Sequence, residues 1–133
     1  MDCWLTLCDF AEVINGKLYI QGGGWSRRST TGGPFNAAIA GKLLVPWNEA
    51  NKRLNLKLQL VTDDGQPVSD PEGKPVVIDG EFEIGRPPGL APGSDLDFPL
   101  AFNVGGLNLD VGRYRWEFLV TGDVRSTVAF DVV

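Results

Sequence analysis

The chain has 133 residues, room for one domain of the usual roughly 100–150 residues, and no apolar run approaches the roughly 20 residues of a membrane span. It has no histidine, which excludes Ser-His-Asp and Cys-His catalysis and histidine-based metal sites, and its formal charge of −5 argues against nucleic acid as a partner. The charge is uneven: residues 1–57 hold seven Lys/Arg against four Asp/Glu, residues 58–133 five against thirteen, a polarity that favours head-to-tail contact between copies or simply follows the solvated strand faces.

The first expected strand covers 3–13. Cys3 and Cys8, five residues apart on one strand, stand roughly 16 Å from each other at about 3.3 Å per residue, too far for a disulfide. Two unpaired thiols and no signal-peptide pattern predict a reducing, cytoplasmic setting. No basic neighbour lowers a thiol pKa, so both cysteines read as small packing residues.

Ile14-Asn15-Gly16-Lys17 predicts a type I′ hairpin turn, because both central positions need positive φ and Asn-Gly tolerates it. The turn joins 3–13 to a second strand over 17–24 and pairs Ile14 with Lys17, Val13 with Leu18 and Ala11 with Ile20. Asp9 then lands opposite Gly22 on the apolar face. A bulge that turns it outward is preferred to a carboxylate at the rim of the core. Trp4 has the opposite parity from Leu5 and Leu7 and is expected to face outward with Phe10 and Tyr19. Such an aromatic stripe needs covering, by a partner or by another strand of the same chain.

The loop Gly22–Pro34 carries five glycines, Trp25, Arg27, Arg28 and the hydroxyl residues Ser26, Ser29, Thr30 and Thr31. Its backbone N–H groups suit an anion, yet the Gly-Lys-Ser/Thr ending of a P-loop is missing and no helix follows. A crossing between sheets and a protein-contact surface anchored by Trp25, Arg27 and Arg28 are the two remaining readings.

Strands are expected next over 36–45, 53–62, 75–84, 97–104, 113–121 and 125–133, with one helical turn in 47–52 after Pro46. The alternation is clearest in Leu54, Leu56, Leu58 and Leu60, in Tyr114, Trp116, Phe118 and Val120, and in Val128, Phe130 and Val132. The loop Gly85–Pro99, with four prolines, belongs on the surface. Eight short strands and frequent turns predict an all-β antiparallel sandwich.

Asp110-Val111-Gly112-Arg113-Tyr114 matches the Asp-x-Gly-x-Tyr lead-in to strand F of immunoglobulin-type sandwiches, where the tyrosine hydroxyl bonds to upstream backbone. Trp116 stands where antibody domains have a cysteine, so a large ring fills the place of a disulfide. An immunoglobulin- or fibronectin-like sandwich is the first reading, and a jelly roll the alternative.

The runs Cys8-Asp9-Phe10-Ala11-Glu12-Val13, Asn15-Gly16-Lys17-Leu18, Gly22-Gly23-Gly24-Trp25, Pro46-Trp47-Asn48-Glu49-Ala50-Asn51 and Gly112-Arg113-Tyr114-Arg115-Trp116 resemble a bacterial domain-of-unknown-function family of small single-domain proteins. The resemblance spans nearly the whole chain. It implies a one-domain protein and no activity, cofactor or site residue.

Carboxylates offer the remaining candidates. Asp63, Asp64, Asp70 and Glu72 lack the spacing of a calcium loop and read as turn residues. Glu81 with Glu83, or Asp95 with Asp97, are conceivable acid–base pairs, but like-charged exposed rows are commoner. The expected function is therefore non-catalytic and cofactor-free: a domain acting through protein–protein contact, as an accessory or surface component of a larger assembly such as a phage-type particle. The alternative is a carbohydrate-binding module using Trp25 or Trp4.

Overall fold

The computed structural model describes residues 1–29 and 33–133, so Thr30 and Thr31, named above as loop donors, lie outside the described residues. Among the described residues ten strands form: β1 (Cys3–Cys8), β2 (Phe10–Ile14), β3 (Lys17–Gln21), β4 (Arg27–Arg28), β5 (Phe35–Val45), β6 (Leu54–Thr62), β7 (Val77–Phe82), β8 (Leu96–Leu107), β9 (Gly112–Val120) and β10 (Asp123–Val132). Eight were expected. The first strand breaks in two at Asp9, and the glycine-rich loop contributes the two-residue β4.

The protein is all-β, with a three-stranded sheet ordered β1–β5–β8, a five-stranded sheet ordered β4–β10–β9–β6–β7, and the hairpin β2–β3. Pairing is antiparallel except where Arg27 and Arg28 run parallel to Asp131 and Val132. After Pro46 the expected helical turn is a single 3-10 turn, Trp47–Glu49, which ends where Ala50 becomes extended. Among the described residues no helix is long and apolar enough to cross a membrane.

One hydrophobic core joins the two larger sheets. Leu7, Ile39, Leu43 and Leu100 come from one, and Leu58, Leu60, Trp116, Phe118 and Phe130 from the other. Full burial of a side chain such as Phe118 contributes roughly 1.5–3 kcal/mol. The period-two pattern of β6 and β9 is the direct cause, since every second residue must face this core. Two ring pairs tie the sheets together: Phe82 stacks on Phe98 with centroids 4.4 Å apart, and Phe102 meets Phe118 at 6.1 Å.

β5 is buried on both faces. Ala37, Ile39, Leu43 and Val45 face the main core, whereas Ala38 and Ala40 join Cys8, Ala11, Leu18 and Ala101 in a second cluster. Hairpin β2–β3 forms the roof of that cluster, so the outer face of the three-stranded sheet is covered at one end. Small side chains on this face let the roof approach. β8 forms the sheet's far edge, which is why Pro99 is tolerated within it.

Asp9 sits where β1 ends, exposed, with its N–H donating to the Gln21 carbonyl at 3.0 Å. The outward alternative is thus the one realised. Gly22, at φ +61°, faces the Asp9 side chain so closely that a Cβ there would collide with the carboxylate.

Candidate interaction surface

The hairpin turn has Asn15 at φ 51° and Gly16 at φ 74°, the positive values of a type I′ turn. Ile14 pairs with Lys17, Val13 with Leu18, Glu12 with Tyr19, Ala11 with Ile20 and Phe10 with Gln21. This register puts Ala11 and Leu18 against the small-residue cluster and turns Phe10, Glu12, Ile14, Lys17, Tyr19 and Gln21 away from it.

Asn103 fastens the hairpin down. Its side-chain Nδ2 donates to the Ala11 carbonyl at 2.8 Å, and its Oδ1 accepts from the Ala11 N–H at 3.2 Å. A primary amide thereby imitates a strand partner and satisfies both backbone groups of a residue with no solvent exposure. Sequence reasoning missed Asn103; its parity with Pro99 and Ala101 on the outer face was the available signal.

Nine large apolar residues are exposed among those described, and six of them fall in the first twenty: Trp4, Phe10, Val13, Ile14, Tyr19 and Ile20, at 38–50%. Phe10 and Tyr19 share the outer hairpin face, and no strand of the described chain covers it. Trp4 lies one layer below, on the outer face of the three-stranded sheet beside Lys42, beyond the end that the hairpin covers. The aromatic stripe is therefore split over two layers.

The glycine-rich loop is engaged with its own chain. Gly24 N–H donates to the Leu7 carbonyl at 2.8 Å, and Trp25 meets Phe130 edge-on at 5.9 Å. The Arg28 guanidinium lies 4.6 Å from the Trp25 ring and 5.2 Å from the Phe35 ring. It donates to the Asn36 carbonyl at 2.6 Å and pairs with Asp9 at 3.6 Å. The loop thus leads from the hairpin to the edge of the five-stranded sheet and back to β5, with Arg28 as its clasp. Arg27 is exposed.

The other residues singled out from sequence are dispersed. Tyr114 Oη donates to the Asp110 carbonyl at 2.8 Å, just beyond Gly112, and Trp116 is wholly buried. Glu81 faces Arg53 at 3.7 Å, Asp97 faces Lys42 at 3.0 Å and Asp63 faces Arg113 at 3.7 Å. Asp70 Oδ1 accepts from the N–H groups of Glu72 and Lys74, each at 2.9 Å, which closes a turn. Burial pushes the Cys3 thiol up to about 11, and burial with the nearby Asp9 charge raises Cys8. Both thiols stay protonated, the unreactive form.

An open groove of about 610 Å³ crosses the outer face of the five-stranded sheet over Leu119, with Asn55, Lys57, Asp79 and Glu81 along its walls. A smaller one of about 250 Å³ lies beside Phe10, between Asp9, Asn36 and Asn103. The larger groove has no aromatic platform; the smaller adjoins the exposed hairpin.

Antiparallel sheets around a shared core, with an apolar hairpin laid over one of them, define an all-β protein whose distinctive surface is that hairpin. The chain belongs to the family of unknown function DUF6941, which matches residues 3–133. No curated protein matches it.

Proposed function

We propose that the protein is a non-catalytic immunoglobulin-like sandwich that binds another protein through hairpin β2–β3. The sandwich reading is supported by the strand orders. β1–β5–β8 against β10–β9–β6–β7 corresponds to strands A–B–E against G–F–C–C′, and the Tyr114 hydroxyl bond occupies the corner before strand F. In that frame the hairpin is an insertion between strands A and B. The single observation carrying the binding reading is that this insertion holds five of the nine exposed large apolar side chains, with Trp4 nearby in sequence as the sixth. Three of the five, Phe10, Ile14 and Tyr19, share the outer face, while Val13 and Ile20 lie at the rim of the inner one, and grouped apolar exposure of this kind marks interaction surfaces. Asp97 and Glu81, each matched to one basic side chain, and the protonated thiols support a non-catalytic role.

A photo-crosslinking residue placed at Phe10 or Tyr19, in cells making the protein, tests this. Discrete protein adducts are expected there and not from Val111, which is more exposed than either. Equal yields at all three positions overturn the proposal. A carbohydrate role rests on Trp4 alone, Trp25 being engaged with Phe130 and Arg28; fluorescence unchanged across a glycan panel removes it.

A further inference from the structure

We infer that the partner of the hairpin is a second copy of the chain, joined β3 to β3 about a two-fold axis through Tyr19; this rests on the binding reading above and names its occupant. The two-residue turn makes Ile14–Lys17 a hydrogen-bonded pair, and antiparallel pairs alternate, so Glu12–Tyr19 and Phe10–Gln21 are bonded while Val13–Leu18 and Ala11–Ile20 are not. The backbone groups of Leu18 and Ile20 therefore point away from β2. Those of Ala11 point the opposite way, as their bonds to Asn103 require. Among the described residues no strand pairs with the Leu18–Ile20 edge, and β3 has neither the proline nor the bulge that blunts open edges.

The edge is complementary to itself. Antiparallel pairing centred on Tyr19 sets Leu18 opposite Ile20 of the second copy in a bonded pair, and Ile20 opposite its Leu18. On the outer face Lys17 meets Gln21 of the other copy, so no like charges face each other. Phe10–Gln21 contains one acid and one base, Glu12 and Lys17, so two copies of a −5 chain approach through a neutral segment. The exposed apolar side chains on β3 itself, Tyr19 and Ile20, amount to roughly 130–220 Å² on each copy, taking roughly 150–250 Å² for a whole side chain. That area suits a weak, concentration-dependent dimer rather than an obligate one. The joined hairpins form a four-stranded sheet, β2–β3–β3–β2, closing both open edges at once.

Sedimentation equilibrium of the whole chain, with three variants, tests the inference. The native protein is expected to dimerise with rising concentration, and Tyr19→Lys, which sets two ammonium groups face to face, to weaken association at least tenfold. Tyr19 is half exposed, so this variant keeps its fold. Across a non-bonded antiparallel pair the Cα atoms lie about 4.5 Å apart, within disulfide reach, so Tyr19→Cys is expected to give a symmetric disulfide on mild oxidation, mapped by mass spectrometry. Glu12→Cys, three strand spacings or roughly 14 Å from its mate, is not. A native chain that stays monomeric to its solubility limit overturns the inference. So does a dimer that tolerates Tyr19→Lys and gives no Tyr19→Cys bridge. If photo-crosslinks from Phe10 and Tyr19 join a different protein, the second copy is refuted while the binding reading stands; if neither position crosslinks above Val111, both fall.

Discussion

Tyr114→Phe isolates one bond in the fold. The ring stays, stacked against Phe130 with centroids 5.7 Å apart and 9% exposed, and only the hydroxyl that donates to the Asp110 carbonyl at 2.8 Å is lost. Asp110 is exposed, so water takes over its carbonyl and no buried acceptor is orphaned. The expected loss is the net value of a neutral hydrogen bond, about 1 kcal/mol, equivalent to a fall in Tm of about 3–5 °C for a chain of this length. The same bond has an alkaline signature. Burial, reinforced by the Asp110 charge, raises the Tyr114 pKa above the ordinary tyrosine value of about 10. As pH passes that value the unfolded chain releases the proton first, so the folded state binds more protons and stability falls with rising pH. The contribution is whole below about pH 10 and disappears as pH rises through the folded-state pKa, since a phenolate cannot donate. Urea unfolding followed by tryptophan fluorescence, from about pH 7 to about pH 11, measures both effects. The gap between native and variant is expected near 1 kcal/mol at neutrality and to shrink at the alkaline end. A variant as stable as the native chain at neutral pH, or a gap that widens with pH, refutes the reasoning.

Asn103→Ala leaves the N–H and C=O of fully buried Ala11 without partners, at about 1–3 kcal/mol for each group. Hydrogen exchange is expected to accelerate at least tenfold in β2 and β3 while β9 keeps its protection. Gly41→Ala drives a Cβ into the Trp4 carbonyl oxygen and against Leu5 across the β1–β5 ladder, where backbone cannot yield; a loss of about 3 kcal/mol or more is expected in the same urea assay. Cys3, raised from 9.0 to about 11, is expected to react with a disulfide reagent near pH 8 roughly 10-fold more slowly than an unperturbed thiol, the loss of thiolate being partly offset by its greater nucleophilicity, and at the normal rate in denaturant.

Strands with one buried face were legible from sequence because alternation and burial coincide there. Leu58 and Leu60 of β6, and Tyr114, Trp116, Phe118 and Val120 of β9, lie where period two puts them. The hairpin register was legible for a different reason: Asn15-Gly16 fixes it locally, whatever the rest of the chain does. The break in 3–13 was legible only in part: the hairpin register put Asp9 opposite Gly22, but its ion pair with Arg28 is made only after the glycine-rich loop has crossed to the five-stranded sheet. Arg28 shows the same limit. As a residue type it suits an interface, but its neighbours Trp25, Phe35 and Asn36 converge on it through tertiary folding, and that makes it a clasp.

The hairpin's two faces obey different constraints. Its inner face is shaped by the fold: Ala11 and Leu18 meet Ala38, Ala40 and Ala101, residues small enough to admit a second layer, and Asn103 supplies the hydrogen bonds that an isolated two-stranded ribbon lacks. None of these contacts uses Phe10, Ile14 or Tyr19. Packing in the monomer would be served equally by polar residues at those positions, and an open strand edge would be safer with them. The apolar character of the outer face is the feature that the proposed protein contact accounts for. The register, the Leu18–Ile20 edge that no described strand pairs with, and the absence of facing like charges are what support the inferred second β3 there.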